Sequence, residues 1–443
     1  METMDSQLAH LPSRRAFLQV GASSFLGTSL VRANPEPGRK SVILVLLTGG
    51  CSQLDSFDPK PDAPAEIRGE FSTISTVLPG VRFSEHLPLL AQRMKHWALV
   101  RSMSHEHNGH LPATHRILTG TPMPVERGSD LDNVLSRRDW PCYAAGLAAA
   151  RPRTDGVPSG VTLPHALIEG PLTWPGQHGG FIGPRYDPLL VTQDPNSPAF
   201  RMDSLSLAEG TSLERLGDRQ SLLGSLDRGD NPARMHQHAA MRMLTSDRVA
   251  KAFRMQDEPE RNRDRYGRTQ FGQTLLLARR LVQAGVPMIQ ANMGIVQTWD
   301  THVDNWGQLK NRLLPGLDRA LAGLIDDLAA EGMLDNTLVA VLGEFGRTPR
   351  ISTLPGNTVA GRDHWAAVYS ALFAGSGVQG GQVIGKSDSK AAYPVTPSFT
   401  PYDVGATIYR SLGIAPDTEV IDSQNRPFFL NRGRVMSPLF GAI

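Results

Sequence analysis

Histidine and carboxylate side chains recur in short polar segments along this chain. One segment carries His105, His107 and His110 within six residues. Later segments contribute Asp300, His302, Glu344 and His364. Imidazole nitrogen is a borderline donor and carboxylate oxygen a hard one, and zinc and manganese accept this mixture. Together the segments predict a divalent metal site. Taken singly, an Asp-x-His is more typical of a turn, and clustered histidines also occur on ordinary surfaces.

The polar segments follow apolar runs that have the character of strands. The runs are 41–47, 97–101, 288–293, 337–342 and 366–373. The first is continuously apolar, which is typical of a parallel strand covered on both faces. An apolar stripe over 309–328 predicts a long helix between two of the strands. Alternating strands and helices predict an α/β fold with a mostly parallel central sheet between helical layers. Because the carboxyl ends of such strands meet at one edge, we expect the polar segments to lie together.

The first 33 residues have the pattern of a twin-arginine signal peptide. Arg14 and Arg15 precede a moderately apolar stretch, and Val31 and Ala33 stand where a signal peptidase recognises small residues. Cleavage before Asn34 would release a protein to the periplasm or beyond. The alternative, a short membrane anchor, is less compatible with a stretch this polar. The mature chain, 34–443, is predicted to be one domain in which 204–262, rich in charge, forms a helical excursion or cap.

Composition and charge argue against a nucleic-acid partner, a membrane span and a disulfide framework. The formal net charge of +2 gives no reason to expect nucleic acid as a partner. No segment after the signal peptide is apolar enough to span a membrane. Two cysteines do not make a disulfide framework.

Six motifs, spread over nearly the whole mature chain, resemble those of a known family. They lie at 49–61, 98–105, 175–184, 344–349, 361–365 and 380–385. Among them are Glu-Phe-Gly-Arg-Thr-Pro and Gly-Arg-Asp-His-Trp. On these motifs the chain is identified as a member of the domain-of-unknown-function 1501 family of twin-arginine-exported bacterial proteins.

This family is in turn similar to the alkaline phosphatase and sulfatase superfamily, which implies an alkaline phosphatase-like fold. The resemblance implies that Asp300, His302 and His364 form a metal site, with Glu344 or Asp304 nearby. It also aligns the segment from His110 to 120 with the sulfatase nucleophile segment.

The departures from the superfamily pattern limit the chemistry. His110 stands where a sulfatase has the cysteine or serine that becomes formylglycine, and Thr114 stands at the arginine position. Gly49 replaces the carboxylate after the first strand, and Glu344-Phe345 replaces an Asp-His pair. The resemblance therefore implies one metal position instead of two and excludes formylglycine chemistry.

The expected function is hydrolysis of a phosphate or sulfate ester, of a small molecule or a polysaccharide, by water activated at the metal. We expect His110 or His107 to move protons. Arg347, with Arg350 and Arg362, has two roles open to it: holding a tetrahedral anion or forming salt bridges within the loops. Asp55, Asp58 and the Gln177-His178 pair are further candidate ligands. Two alternatives remain: a non-catalytic envelope or binding protein, and a serine hydrolase using Ser52.

Overall fold

The structure, a computed structural model of the chain, describes residues 40–124, 137–170, 172–202, 218, 247–422 and 424–441. The predicted signal peptide and most of the predicted excursion at 204–262 lie outside these residues. The described end of that excursion is helical, with helices at Asp247–Phe253 and Glu260–Tyr266. Within the described parts, no helix is both long and apolar enough for a membrane crossing.

Short strands and helices alternate along the chain. In chain order the strands are β1 (Ser41–Leu46), β2 (Thr73–Ser75), β3 (Arg82–Ser84), β4 (Ala98–Met103), β5 (Gly160–Leu163), β6 (Ile168–Glu169), β7 (Leu172–Thr173), β8 (Leu189–Leu190), β9 (Met288–Asn292), β10 (Thr337–Leu342), β11 (Gly346–Arg347), β12 (His364–Trp365), β13 (Tyr369–Ala374), β14 (Gln382–Ile384), β15 (Glu419–Ile421) and β16 (Pro427–Phe429). The α-helices are α1 (Ala65–Arg68), α2 (Pro88–Gln92), α3 (His110–Thr119), α4 (Tyr143–Ala150), α5 (Asp247–Phe253), α6 (Glu260–Tyr266), α7 (Gln270–Gln283), α8 (Asn305–Gln308), α9 (Leu314–Ala330) and α10 (Pro401–Ser411).

Among the described residues, eight strands form one central sheet in the order β14-β4-β13-β10-β1-β9-β5-β8. Strand β1 pairs in parallel with β9 and β10, whereas β13 runs antiparallel to both of its neighbours, β4 and β10. The predicted mostly parallel sheet is therefore confirmed. All five predicted strands belong to it.

Apolar side chains cover both faces of this sheet. Ile43 and Val45 of β1 join one buried cluster, which includes side chains from α7 and α9. Val42 and Leu44 join a second cluster on the other face, with side chains from α3, α4 and α10. Strands covered on both faces are typically near-continuous apolar runs, which explains the unbroken apolar sequence over 42–47.

The helix predicted over 309–328 begins earlier and is irregular at its start. Residues Asn305–Gln308 form α8, Leu309–Leu313 form one π-helical turn, and α9 continues to Ala330. The apolar stripe of α9 lies in the first core cluster. Together, α8, the π-helical turn and α9 connect the loop after β9 with the segment that precedes β10. The polar loops after β1, β9 and β10 consequently meet at one edge of the sheet.

Candidate metal centre

Asp300 lies at the centre of the polar cluster beyond the carboxyl ends of the strands. Its Oδ2 is 3.3 Å from Nε2 of His110. Its Oδ1 is 3.0 Å from Nε2 of His364 and 3.1 Å from Nε2 of His302. The guanidinium of Arg347 forms an ion pair with the same Oδ1. Three imidazoles, from the beginning of α3, from the loop after β9 and from β12, thus converge on one carboxylate.

The other ring nitrogen of each of these histidines is already hydrogen-bonded. Nδ1 of His110 lies 2.9 Å from a carboxylate oxygen of Glu344. Nδ1 of His364 lies 2.6 Å from the backbone carbonyl oxygen of Asn108. Both partners accept hydrogen bonds, so each Nδ1 carries the proton and donates it. In the neutral ring Nε2 then carries a lone pair, directed at Asp300.

His302 repeats this arrangement. Its Nδ1 is 2.6 Å from Oδ1 of Asp363, whose Oδ2 accepts a hydrogen bond of 2.9 Å from the Ser352 hydroxyl. Its Nε2 is 2.9 Å from Nε2 of His364. Two ring nitrogens at this distance repel each other if both carry lone pairs. A proton or a metal ion beside them removes that repulsion.

The donor set fits a divalent cation. Nε2 of His110, Nε2 of His364 and an oxygen of Asp300 come from a group whose ligand atoms all lie within 4.8 Å of one another. The carboxylates of Asp300, Glu344 and Asp363 outnumber the single guanidinium of Arg347, so the cluster is negatively charged when its imidazoles are neutral. Two histidine nitrogens and one carboxylate oxygen are ligands that zinc and manganese accept.

The pKa values follow from burial and these contacts. Burial alone would raise the pKa of Asp300, but its bonds with the three imidazoles and its pairing with Arg347 hold it well below its usual range. Burial lowers the pKa of His364, which keeps that ring neutral near pH 7. For His110, burial acts the same way, but hydrogen bonds with Asp300 and Glu344 raise its pKa to about 9. The carboxylates therefore favour positive charge beside Nε2 of His110.

Glu344 orients His110 and is itself held by the backbone. Its two carboxylate oxygens lie 2.8 and 3.0 Å from the amide nitrogen of Gly49, which donates to them. Gly49 has a φ of 109°, and a Cβ added there would lie 2.6 Å from the backbone nitrogen of Asp300. The glycine in the loop after β1 therefore lets the Asp300 backbone approach closely.

Arg347 is fully buried, and each nitrogen of its guanidinium donates a hydrogen bond. Besides Asp300, it donates to the carbonyl oxygens of Gly49, Gly50, Trp299 and Arg362. The contact with Asp300 is a salt bridge, one of the two roles left open by the sequence. Burial lowers its pKa, and Asp300 opposes that effect.

Aromatic side chains wall the cluster. The His110 ring lies 5.0 Å from the ring of Trp174 and 5.1 Å from that of Phe345, between centroids. Phe345 also lies 4.4 Å from His364. Both aromatic residues are almost completely buried. Apolar walls exclude water and strengthen the electrostatic interactions within the cluster.

The remaining predicted site residues lie in other networks. Nε2 of His107 is 3.1 Å from Glu106 and 2.6 Å from Arg116. Asp58 pairs with Lys60 and Arg101. Other candidates have structural contacts: Asp55 pairs with Arg362, Gln177 bonds the backbone of Leu167 and Trp174, and Nδ1 of His178 accepts from the Gly180 amide.

Residues that the sequence did not single out as parts of the site complete it. Asn108 contributes a backbone carbonyl, for which a side-chain pattern gives no signal. Asp363 is adjacent to His364 in the Gly-Arg-Asp-His-Trp motif, and this adjacency is its signal in the sequence. Trp174 comes from a segment far from the strands that carry the other residues, and only the tertiary fold brings it to His110.

Comparison with known proteins places the chain as follows. The model of a family described as "Protein of unknown function (DUF1501)" matches residues 39–440. No protein with a curated description matches. Among solved structures, the phosphonate monoester hydrolase from Silicibacter pomeroyi is 16% identical, with a TM-score of 0.41; the match covers 91% of this chain and 77% of that one.

Two other solved structures are similar over comparable lengths. A protein of the alkaline phosphatase superfamily from Vibrio parahaemolyticus is 13% identical, with a TM-score of 0.38, over 91% of this chain and 76% of that one. The protein Ps i-CgsB is 11% identical, with a TM-score of 0.42, over the same shares. Identities and TM-scores this low leave the function to be inferred from the chain's own residues.

Proposed function

This chain belongs to the DUF1501 family of proteins of unknown function, and from its site we propose that it is an exported, metal-dependent hydrolase of phosphate or sulfate esters. The observation that supports this most strongly is the convergence of imidazole Nε2 atoms on Asp300, with their Nδ1 atoms tied to acceptors. Such outer contacts are typical of metal-binding histidines, whose second nitrogen donates to a carboxylate or a backbone carbonyl.

His110, Asp300 and His364 would hold the ion, which we propose to be zinc or manganese. A divalent cation there would polarise an ester oxygen and lower the pKa of a coordinated water. Glu344 and the Asn108 carbonyl fix the two imidazoles, so these ligands need little reorganisation on binding. His302 is the third imidazole of the cluster and is partly exposed. It either adds a further ligand, as the resemblance implies, or exchanges protons.

The chain's own residues suit proton transfer in such a hydrolysis. A bond forms between water oxygen and phosphorus or sulfur, the bond from that atom to the alcohol oxygen breaks, and the alcohol gains a proton. We propose that His302 carries this proton, because Asp363 holds its ring and 26% of its side chain is exposed to solvent. General acid–base catalysis requires a group of this kind within hydrogen-bond reach. His110, which we expected in this role, would instead act as a ligand.

We propose that no covalent intermediate forms. The residue at the position that aligns with the sulfatase nucleophile is His110, and both of its ring nitrogens face carboxylates. Direct attack by water leaves no phosphorus or sulfur adduct on the protein. Export rests on the paired arginines near the N-terminus, and a polysaccharide ester rests only on the resemblance to exported sulfatases.

One observation favours a second candidate, a non-catalytic binding protein of the cell envelope. Arg347 and Arg362 are fully buried and bonded to carboxylates and carbonyls. They therefore do not offer paired N–H donors to a tetrahedral anion. A protein that kept the ion site for binding alone would show the same arrangement.

The two candidates are separated by turnover. Metal-loaded protein should be assayed with aryl phosphates, phosphodiesters and aryl sulfates, comparing wild type, His364→Ala, His110→Ala and His96→Ala. His96, in the turn before β4, is the control because it lies at the opposite end of that strand from the His105–His110 segment. We expect activity in the wild type and the control and strong loss in the other two. Equal activity in all four would indicate a contaminant, and no turnover despite bound metal would favour the binding protein.

A further inference from the structure

Asp55 is a buried carboxylate that the proposed chemistry does not use. Only 1% of it is exposed. Its Oδ2 accepts hydrogen bonds from the Ser52 hydroxyl at 2.6 Å and from Nδ2 of Asn305 at 3.0 Å. Its Oδ1 accepts one from the indole of Trp306 at 3.1 Å. Asp55 thus connects the loop after β1 with the beginning of α8.

Arg362 donates further hydrogen bonds to Asp55 and also bonds to two other segments of the chain. Its Nε is 2.7 Å from Oδ2 of Asp55, and its Nη2 is 3.3 Å from Oδ1. The remaining N–H groups donate to the carbonyl oxygens of Ile67, Thr348 and Pro349. The guanidinium is completely buried. A planar fork with five donors suits this set of acceptors, and a lysine could not satisfy it.

A closed ring of hydrogen bonds runs from this ion pair to the metal ligands. The Asn305 side chain that donates to Asp55 also accepts from the Thr301 hydroxyl, at 2.5 Å. The Thr301 carbonyl accepts from the backbone amide of Arg362, at 3.1 Å. Thr301 stands between Asp300 and His302 in the sequence. Arg362 stands two residues before His364.

The two ligand-bearing segments also touch directly. A Cβ added to Gly361 would lie 2.1 Å from the carbonyl oxygen of His302 and 2.4 Å from that of Thr301. The backbone of 361–362 therefore packs against that of 301–302, and only glycine leaves room for it. The hydrogen-bonded ring fixes the position of one segment relative to the other.

We propose that the buried Asp55–Arg362 ion pair is a positioning device that fixes the distance between the Asp300–His302 segment and His364. This inference rests on the proposed metal function. It accounts for the carboxylate in the motif at 49–61 and the arginine in the motif at 361–365, neither of which the proposed chemistry uses directly. Sites of this kind need their ligands held close to productive geometry, and outer contacts of metal ligands contribute substantially to metal affinity.

The test measures Co²⁺ binding and the visible spectrum of bound Co²⁺, which reports ligand geometry. Metal-free wild type, Asp55→Asn and Thr301→Val should be titrated with Co²⁺, with circular dichroism to establish that each is folded. Thr301→Val removes one hydroxyl and no charge, and so decides the question if Asp55→Asn does not fold. The matched control is Glu258→Gln. Glu258 is buried and pairs with Arg279 and Arg280 near the end of α7, which leads to the amino end of β9.

We expect Co²⁺ affinity to fall by about tenfold or more in folded Asp55→Asn and measurably in Thr301→Val, with an altered spectrum in both. Glu258→Gln should lower the melting temperature while leaving affinity and spectrum unchanged. Wild-type affinity and spectrum in folded Asp55→Asn, or in Thr301→Val should the first not fold, would overturn the positioning role and leave the metal site intact. A wild type that binds no Co²⁺ would instead overturn the proposed function on which this role rests.

Discussion

At the scale of single residues, Glu344 performs two tasks with one carboxylate. Both of its oxygens accept a hydrogen bond from the Gly49 amide, and one of them also accepts a hydrogen bond from Nδ1 of His110. According to the resemblance, Glu344 and Phe345 stand where alkaline phosphatases have an Asp-His pair that binds a second metal ion. In this chain the carboxylate is occupied by hydrogen bonds and the neighbouring side chain is a buried phenyl ring. The single metal position that the resemblance implies stays a prediction.

Glu344→Gln is predicted to weaken metal binding by about tenfold, because outer hydrogen bonds of metal-ligating histidines typically contribute 10- to 100-fold to affinity. Glutamine carries no negative charge, so the hydrogen bond that it accepts from Nδ1 of His110 loses its charge-assisted strength, and its NH2 group would face the Gly49 amide in place of an acceptor oxygen. Competition with a fluorescent zinc chelator measures the effect. The control, Glu260→Gln, changes an exposed acid in α6 and should leave affinity unchanged. Equal affinity in both variants would contradict the role of Glu344.

The sequence predicted the members of the cluster better than their roles. Asp300, His302, His364 and Glu344 were expected together, and the structure brings them together. His110 was expected to move protons, yet its Nε2 belongs to the candidate ligand group, and His302 has the partly exposed ring. A role depends on which atom points where, and residue type and spacing do not encode that direction.

At the scale of elements, the strands were the most predictable feature. The runs at 41–47, 288–293 and 337–342 correspond closely to β1, β9 and β10. Strands covered on both faces are rich in apolar residues, although β9 also carries Gln290 and Asn292. The two-residue strand β8 carries too little pattern to be recognised. The antiparallel direction of β13 depends on the loop that precedes it, and periodicity gives no signal of direction.

Asp318 gives a pH prediction at this scale. This α9 carboxylate accepts the backbone N–H groups of Leu89 at 2.9 Å and Leu90 at 2.7 Å, in the first turn of α2. The N-cap of that helix, Leu87, makes no side-chain bond. Burial raises the pKa of Asp318 from 3.8 to about 6, although the two N–H groups oppose the shift.

Proton binding sets the direction in which Asp318 makes the free energy of unfolding depend on pH. Between pH 4 and 6 the folded state holds the Asp318 proton more tightly than the unfolded state, so this group's contribution to the free energy of unfolding falls as pH rises, by up to about 3 kcal/mol. Above about pH 6 the contribution is constant. Urea unfolding of wild type and Asp318→Asn at pH 4, 5, 6 and 7 measures the difference. A difference that is constant over this range, or that moves in wild type's favour as pH rises, would contradict the prediction.

At the scale of the whole molecule, the central sheet connects segments that are far apart in sequence. The loops after β1, β9 and β10 bring Gly49, Asp300 and Glu344 into contact, although nearly 300 residues separate the first from the last. Placing a carboxylate, three imidazoles and a guanidinium in contact requires the core on both sheet faces to fix these loops. The site is therefore a property of the entire described fold.

The proposed export would also depend on the whole molecule, because the twin-arginine route carries folded proteins. Arg14→Lys combined with Arg15→Lys is predicted to retain the protein in the cytoplasm, whereas wild type should appear outside it with Asn34 as its first residue. Cell fractionation and N-terminal sequencing measure this. The matched control is Arg32→Lys, beyond the paired arginines. Export of the double variant at the wild-type level would exclude the twin-arginine route.

Metal content tests the central claim most directly. Wild type, His364→Ala and the control His96→Ala should be folded with zinc and manganese present, freed of excess metal and subjected to elemental analysis. We predict about one divalent ion per chain in wild type and control, and none in His364→Ala. Chelation should lower the melting temperature of wild type and of the control but not of His364→Ala, because an ion bound to the native state stabilises it. No ion in the wild type, or equal content in all three proteins, would contradict the account.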